Sequence, residues 1–340
     1  MTHRCIASLA AIALSLTLVL LVERPAAGQS TSSTNAQAPK ASNIPRMPDG
    51  HPSFAGKWND KTLTPFERPK DLGSKEFYTD EEFASMTAML KQGKLPEGFA
   101  RRGSRDESVQ YEQELYGFDQ TKLPLASTKR TSLVVEPGGV IPPILPEAEQ
   151  RNAARAAKLK GHEADTYENR SLSERCIVGT IVEIPMVPGI DQNVLFQIVQ
   201  GPGYVAIYQE SFHDTRVIPT DGRPHLPQNI RQWQGDSVGH WEGDTLVIDT
   251  TNFTDKTAWR GSTENLHLVE RLTRISDDTI LYRFTVDDPK TWSKPWSAEI
   301  PWNKTDQPLL EYPCQEGNSD LPSILRGARM EEAEAAKKAK

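Results

Sequence analysis

Residues 235–253 read GDSVGHWEGDTLVIDTTNF, and this stretch decides the fold class. Two runs rich in β-branched and aromatic residues, 235–241 and 245–253, are joined by Glu242-Gly243-Asp244. A short glycine-containing connection between such runs is the mark of a tight antiparallel hairpin. Strand-like runs continue on both sides, at 194–200, 204–210, 213–218, 266–275, 279–287 and 296–301, with weaker ones at 176–184 and 309–313. Turn residues separate them, among them Gly201-Pro202-Gly203 and Asp277-Asp278. About nine or ten short strands with almost no helix predict a mainly β chain. Successive strands joined by tight turns predict a lipocalin-like, up-and-down antiparallel barrel over residues 174–320.

Upstream, residues 47–173 read as a segment that wraps the barrel and carries two helices. Thr79-Asp80-Glu81-Glu82 is a capping box, followed by Phe83, Met86, Met89 and Leu90 at helical spacing and by Gly93. Pro146 suits the first turn of a second helix running to about Lys160. Residues 29–46 are polar and low in complexity, a disordered leader, and 321–340 form a charged helical tail.

The chain has 340 residues and a formal charge of −7, with 25 prolines and 22 glycines, which suits many turns rather than a helical bundle. An acidic chain without a basic stripe is a poor partner for nucleic acid phosphates or for an anionic membrane surface. Residues 1–28 have a short basic start, an apolar run from Ile6 to Val22 and the small residues Ala26-Ala27-Gly28. That pattern is a cleavable secretory signal, with an uncleaved membrane anchor as the competing reading. Cleavage predicts a periplasmic or secreted protein with no stable membrane span. Cys176 and Cys314 then remain, and two cysteines in an exported chain are most simply a disulfide tying the start of the β region to its end.

Several residues are candidates for chemistry. His213, in the run Phe212-His213-Asp214-Thr215-Arg216, has the side chain most suited to acid/base work near neutral pH. On a strand, Asp214 and Arg216 share the opposite face and suit a pair at a sheet edge. Leu268, Glu270 and Leu272 share one face of their strand, so Glu270 is either buried, needing a partner or a raised pKa, or solvent-facing under a covering strap. Asp249 shares a face with Val247, Thr251 and Phe253, and an arginine such as Arg231, Arg271 or Arg283 suits it as partner. Mixed polar and apolar residues on both faces of that strand suggest a lined cavity.

His213, Asp249, His267, Glu270 and Arg271 are therefore the catalytic candidates. Arg216, Arg231, Trp233, Trp241, Trp292 and Trp296 are the ligand-binding candidates, although tryptophan is also how a barrel fills its interior. Six of the seven tryptophans fall between Trp233 and Trp302. Arg223-Pro224-His225 sits in a proline-rich loop suited to a barrel rim. No dinucleotide, P-loop or HExxH pattern is present, so no cofactor is assigned, and histidine spacing supports no metal site.

PDGHPSFAGKW (48–58), RQWQGDSVGHWEGDTLVIDTTNF (231–253), ENLHLVERLTR (264–274) and TVDDPKTWSKPWSAEIPW (285–302) resemble a widespread group of exported bacterial proteins of unassigned function. The resemblance implies export and a single shared architecture, and it carries no catalytic residues to this chain. Three functions follow from these readings. The first is a barrel binding a small apolar or aromatic ligand in its cavity. The second is a cofactor-independent acid/base enzyme, a lyase, isomerase or hydrolase, using the same cavity. The third is a structural surface protein with a filled barrel.

Overall fold

The computed structural model describes residues 44–62, 64–92, 128–178, 185–187, 195–310, 314–316 and 318–338. Among these residues ten strands form one antiparallel sheet: β1 (Gly56–Asn59), β2 (Val134–Glu136), β3 (Leu195–Gly201), β4 (Tyr204–Gln209), β5 (Thr215–Pro219), β6 (Asp236–Glu242), β7 (Thr245–Thr251), β8 (His267–Arg274), β9 (Thr279–Asp287) and β10 (Trp296–Lys304). Nine follow the order β5-β4-β3-β1-β10-β9-β8-β7-β6, and β2 adds to β10. The protein is a nearly closed antiparallel barrel.

The opening hairpin forms as expected. Glu242 pairs with Thr245 across the two-residue turn Gly243-Asp244, and Gly243 takes a φ of +58° that a side chain would disfavour. The seam lies between β5 and β6. There a Cβ on Gly239 would sit 3.0 Å from the Ile218 Cγ2 and 3.1 Å from the Thr220 Cγ2, so a bare glycine lets the seam strands pack closely.

Period-two alternation decides which side chains enter the barrel. Leu268, Glu270, Leu272 and Arg274 alternate with exposed or half-buried neighbours along β8, as do Ile280, Tyr282, Phe284 and Val286 along β9. Leu246, Ile248 and Thr250 of β7 join them. Tyr282 stacks on Trp302 with ring centroids 4.3 Å apart, and Phe196 meets Trp302 edge-on at 4.7 Å. Toward the other end Trp259 stacks on Trp296 at 5.9 Å, with Trp292, Phe284 and Phe66 around them. Burying a side chain of this size contributes about 1.5–3 kcal/mol, so the aromatic stack is a principal source of stability. Leu246, Ile248, Thr250, Leu268, Glu270, Leu272, Tyr282 and Phe284 expose 0 % of their surface.

The N-terminal segment contributes strands as well as helices. β1 lies between β3 and β10 and points Trp58 inward, where its Nε1 donates to the Phe54 carbonyl at 2.8 Å. β1 and β2 divide one edge of β10: β1 pairs at Asn303 and Lys304, β2 at Ser297 and Ala298. Arg46 reaches Asp244 in the opening hairpin's turn, at 2.8 and 2.7 Å.

Three helices occur among the described residues: α1 (Asp80–Lys91), α2 (Pro146–Leu159) and α3 (Asp320–Lys338). The expected capping box is made, with the Thr79 amide donating to Glu82 Oε2 at 2.8 Å and the Glu82 amide to Thr79 Oγ1 at 3.2 Å. Pro146 opens α2 as expected, and Arg151 ties that helix to the carbonyls of Gly261 and Lys290. Residues 93–127 between the two helices lie outside the described set, as do the signal reading over 1–28 and most of the leader, so a continuous two-helix wrap is not part of this description. No described helix is long and apolar enough to cross a membrane.

Two local expectations change. Residues 176–178 form a turn rather than the start of a strand, and the rest of that run (179–184) lies outside the described residues. His213 ends a 3-10 turn, Ser211–His213, so β5 begins only at Thr215. The disulfide does form: Cys176 and Cys314 are bonded with Cα atoms 5.8 Å apart, closing a separation of 138 residues.

Candidate functional site

The same alternation that sends Leu246, Ile248 and Thr250 inward turns Asp249 outward. On the outer wall Asp249 pairs across β8 with Val269 and across β6 with Val238, and His267 lies diagonally beside it. His267 Nε2 is 2.7 Å from Asp249 Oδ2. His225 Nε2 is 2.9 Å from Asp249 Oδ1, and His225 Nδ1 is 2.8 Å from Asp236 Oδ2. Four side chains from the β5–β6 loop, β6, β7 and β8 thus form a chain, Asp236–His225–Asp249–His267.

Backbone contacts fix the loop that supplies His225. The Leu226 amide donates to Asp236 Oδ2 at 2.9 Å, and Asn252 Nδ2 donates to the Leu226 carbonyl at 2.9 Å. Asn252 adopts a φ of +59°, which lets β7 end and its side chain turn back onto the loop. In the same loop, Leu226 and Ile230 are exposed apolar side chains.

The electrostatics follow from the pairing. Partial burial works to raise the Asp249 carboxyl, but the hydrogen bonds and charges of His267 and His225 outweigh it and hold its pKa below the ordinary carboxylate value. The hydrogen bond to Asp249 raises His267 above the ordinary imidazole value, against partial desolvation and with help from the charges of Asp249 and Asp287. The His267 side chain is 42 % exposed, and its Nδ1 has no hydrogen-bond partner among the described residues. A carboxylate-oriented imidazole with one nitrogen open to solvent is equipped to take up and release a proton.

The other candidates occupy different places. Glu270 is the buried case: it faces inward and receives two hydrogen bonds from Arg216, at 2.6 and 2.9 Å, and one from the Tyr282 hydroxyl at 2.7 Å. Arg216 therefore crosses the barrel instead of pairing with Asp214 at a sheet edge. Arg271 lies on the outer wall and binds Glu242 at 2.6 Å, while Arg283 binds Glu136 and Glu299. Neither arginine partners Asp249: Arg271 stands opposite Val247 and turns to Glu242, and Arg283 lies a strand further away, on β9. Arg231 is exposed and donates to the Glu264 carbonyl at 3.0 Å.

Among the tryptophans, Trp292 and Trp296 belong to the core, and Trp241 is stacked under His51 at 4.3 Å and Phe54 at 5.7 Å. Trp233 is half-buried, and its carbonyl accepts from the Thr257 hydroxyl. They do not form a shared stacking surface. The side chain of His213 lies outside the described set. Among the described residues no three His, Cys, Asp or Glu side chains are grouped to hold a metal ion.

Asp236 was not a candidate from sequence, and His225 was only a rim residue. A signal existed for Asp236: a two-residue turn fixes the hairpin register, and that register sets Asp236 and Asp249 on one face. No protein-family model, no curated protein and no solved structure matches this chain. The class defined by the fold and site is a mainly β, nearly closed antiparallel barrel with a histidine–aspartate chain on its outer wall.

Proposed function

We propose that this protein is a cofactor-independent acid/base enzyme whose site is the outer wall rather than the barrel interior. His267 gives and takes the proton, and Asp249 orients it and stabilises its charged form. His225 and Asp236 hold Asp249 from behind. One observation carries the reading: His267 is pinned through Nε2 at 2.7 Å by a carboxylate whose own pKa is lowered, while its second nitrogen side faces solvent.

Asp236, Asp249 and Asp287 surround the two imidazoles, so a small neutral or cationic molecule suits the site better than an anion. The exposed Leu226 and Ile230 offer an apolar surface to its body. Ligand binding thus moves from the cavity to the wall. A second reading, a structural surface protein, is favoured by the fully buried inward side chains of β7, β8 and β9. Export accords with the disulfide, which persists in oxidising compartments.

The test is a panel of small neutral esters, lactones and β-hydroxy carbonyl compounds, offered to the purified protein and to Asp249→Asn. Turnover by the wild type that falls at least about 100-fold in the variant supports the assignment. An inert wild type leaves the structural reading, and an equally active variant removes Asp249 and the outer wall as the site.

A further inference from the structure

His225 occupies an unusual position: both of its ring nitrogens face carboxylates. Nδ1 is 2.8 Å from Asp236 Oδ2 and Nε2 is 2.9 Å from Asp249 Oδ1. An ionised carboxylate only accepts hydrogen bonds, so both contacts are made together when both ring nitrogens carry a proton. A neutral ring has one N–H. Its other nitrogen would turn a lone pair toward a carboxylate oxygen, and one of the two contacts has to open.

The two contacts differ in what they hold. Asp236 is eleven residues along the chain from His225 and also accepts from the Leu226 amide, so that end is tied twice. Asp249 belongs to the barrel wall, and His225 is the loop side chain that grips it. The loop spans residues 220–235, between β5 and β6. Other ties flank this grip, among them the Thr220 amide to the Gly203 carbonyl at 2.8 Å, Asn252 to the Leu226 and Pro227 carbonyls, Arg231 to the Glu264 carbonyl, and the Gln232 amide to the Asn252 carbonyl. From the reading of the wall as an acid/base site it follows that this loop lies against the carboxylate that orients His267.

We infer that His225 is a proton-operated latch that holds the 220–231 loop against Asp249 when doubly protonated and releases it when neutral. The inference rests on the acid/base reading only for its consequence, which is regulated access to the Asp249–His267 pair. The latch itself is a statement about the loop.

The charged groups around it come from every packed element. The loop brings Asp221 and Arg223, which pair with each other at 2.6 Å, and Arg231. β6 brings Asp236, β7 Asp249, β8 His267 and β9 Asp287, while Glu264 stands in the preceding turn. Around the latch stand the carboxylates of Asp236, Asp249 and Asp287 and the imidazole of His267.

Hydrogen exchange of the full-length protein, followed by mass spectrometry across about pH 5.5 to 8, tests this, with rates corrected for intrinsic pH dependence. Peptides over 220–231 should lose about tenfold in protection as pH rises, the equivalent of one charge-assisted hydrogen bond, while β8 stays unchanged. His225→Gln, which cannot donate to both carboxylates, should hold the loop at the lower level of protection throughout. His225→Arg, which donates to both at every pH, should keep it protected throughout. A flat wild-type profile, or a pH response that survives in His225→Gln, overturns the latch. Because the readout is exchange, it fails or succeeds separately from the enzymatic assignment.

Discussion

Arg216 on β5 and Glu270 on β8 meet inside the barrel, 2.6 and 2.9 Å apart, although their strands are not neighbours in the sheet. The pair joins β5, on one side of the seam, to β8, two strands beyond β6 on the other. Burial opposes the charge on Arg216, but Glu270 outweighs it and keeps the guanidinium charged. Removing one partner leaves an unpaired charge in the core, at a cost of about 3–5 kcal/mol. Arg216→Met and Glu270→Leu should each show that loss in urea unfolding, and the double variant should lose much less than their sum. Additive losses would mean that the two side chains act independently.

Asp60, at the end of β1, is fully enclosed, and its Oδ1 has no hydrogen-bond partner among the described residues. Burial raises its pKa to about 8. The sign is the reverse of the usual aspartate. Below its ordinary value of 3.8 both states are protonated; between there and about 8 only the unfolded state ionises, so stability falls as pH rises. Asp60→Asn should remove that dependence. The variant's advantage should grow toward about 1.4 kcal/mol per pH unit within the window. Parallel stability curves for variant and wild type would contradict this.

His267 is raised, so its stabilising pairing is complete below the ordinary imidazole value of 6.5 and is lost as pH rises through its own, higher value. Asp249 is lowered, so its contribution is present above the ordinary carboxylate value and is lost as pH falls through its own, lower value. Proton NMR should place the His267 midpoint above 6.5, and Asp249→Asn should bring it down. A midpoint unmoved by that substitution would remove Asp249 as the cause.

The Cys176–Cys314 bond closes 138 residues. The chain-entropy account puts such a link at up to about 5 kcal/mol. Cys176→Ser should lower the urea midpoint without changing β-sheet circular dichroism at zero denaturant. An unchanged midpoint would show that the loop is already restrained in the unfolded chain.

The mainly β barrel was legible because alternation along 235–253, 266–275 and 279–287 is strong and the turns between them are short, but a single meander over 174–320 was not what formed: β1, from the N-terminal segment, stands between β3 and β10. The capping box at Thr79 and the Cys176–Cys314 bond were equally readable, since each depends on local chemistry or on elimination. The facing of β7 was not recognised: Thr250 and Asn252 made its inner face look polar, yet Thr250 is buried and hydrogen-bonds Ser237 at 2.9 Å. That choice moved Asp249 from a cavity to the wall and changed its partners from arginines to histidines. β1 was hidden for another reason. Four residues without clear alternation give no periodic signal, and their strand exists because β3 and β10 leave an edge for them.

The most direct test of the outer-wall site is kcat/KM for the panel compound turned over fastest, compared between wild type and His267→Gln with folding checked by near-UV circular dichroism. General acid/base catalysis by His267 predicts a fall of about 100- to 10,000-fold in the variant. Retention of the wild-type value by a folded His267→Gln protein would contradict it.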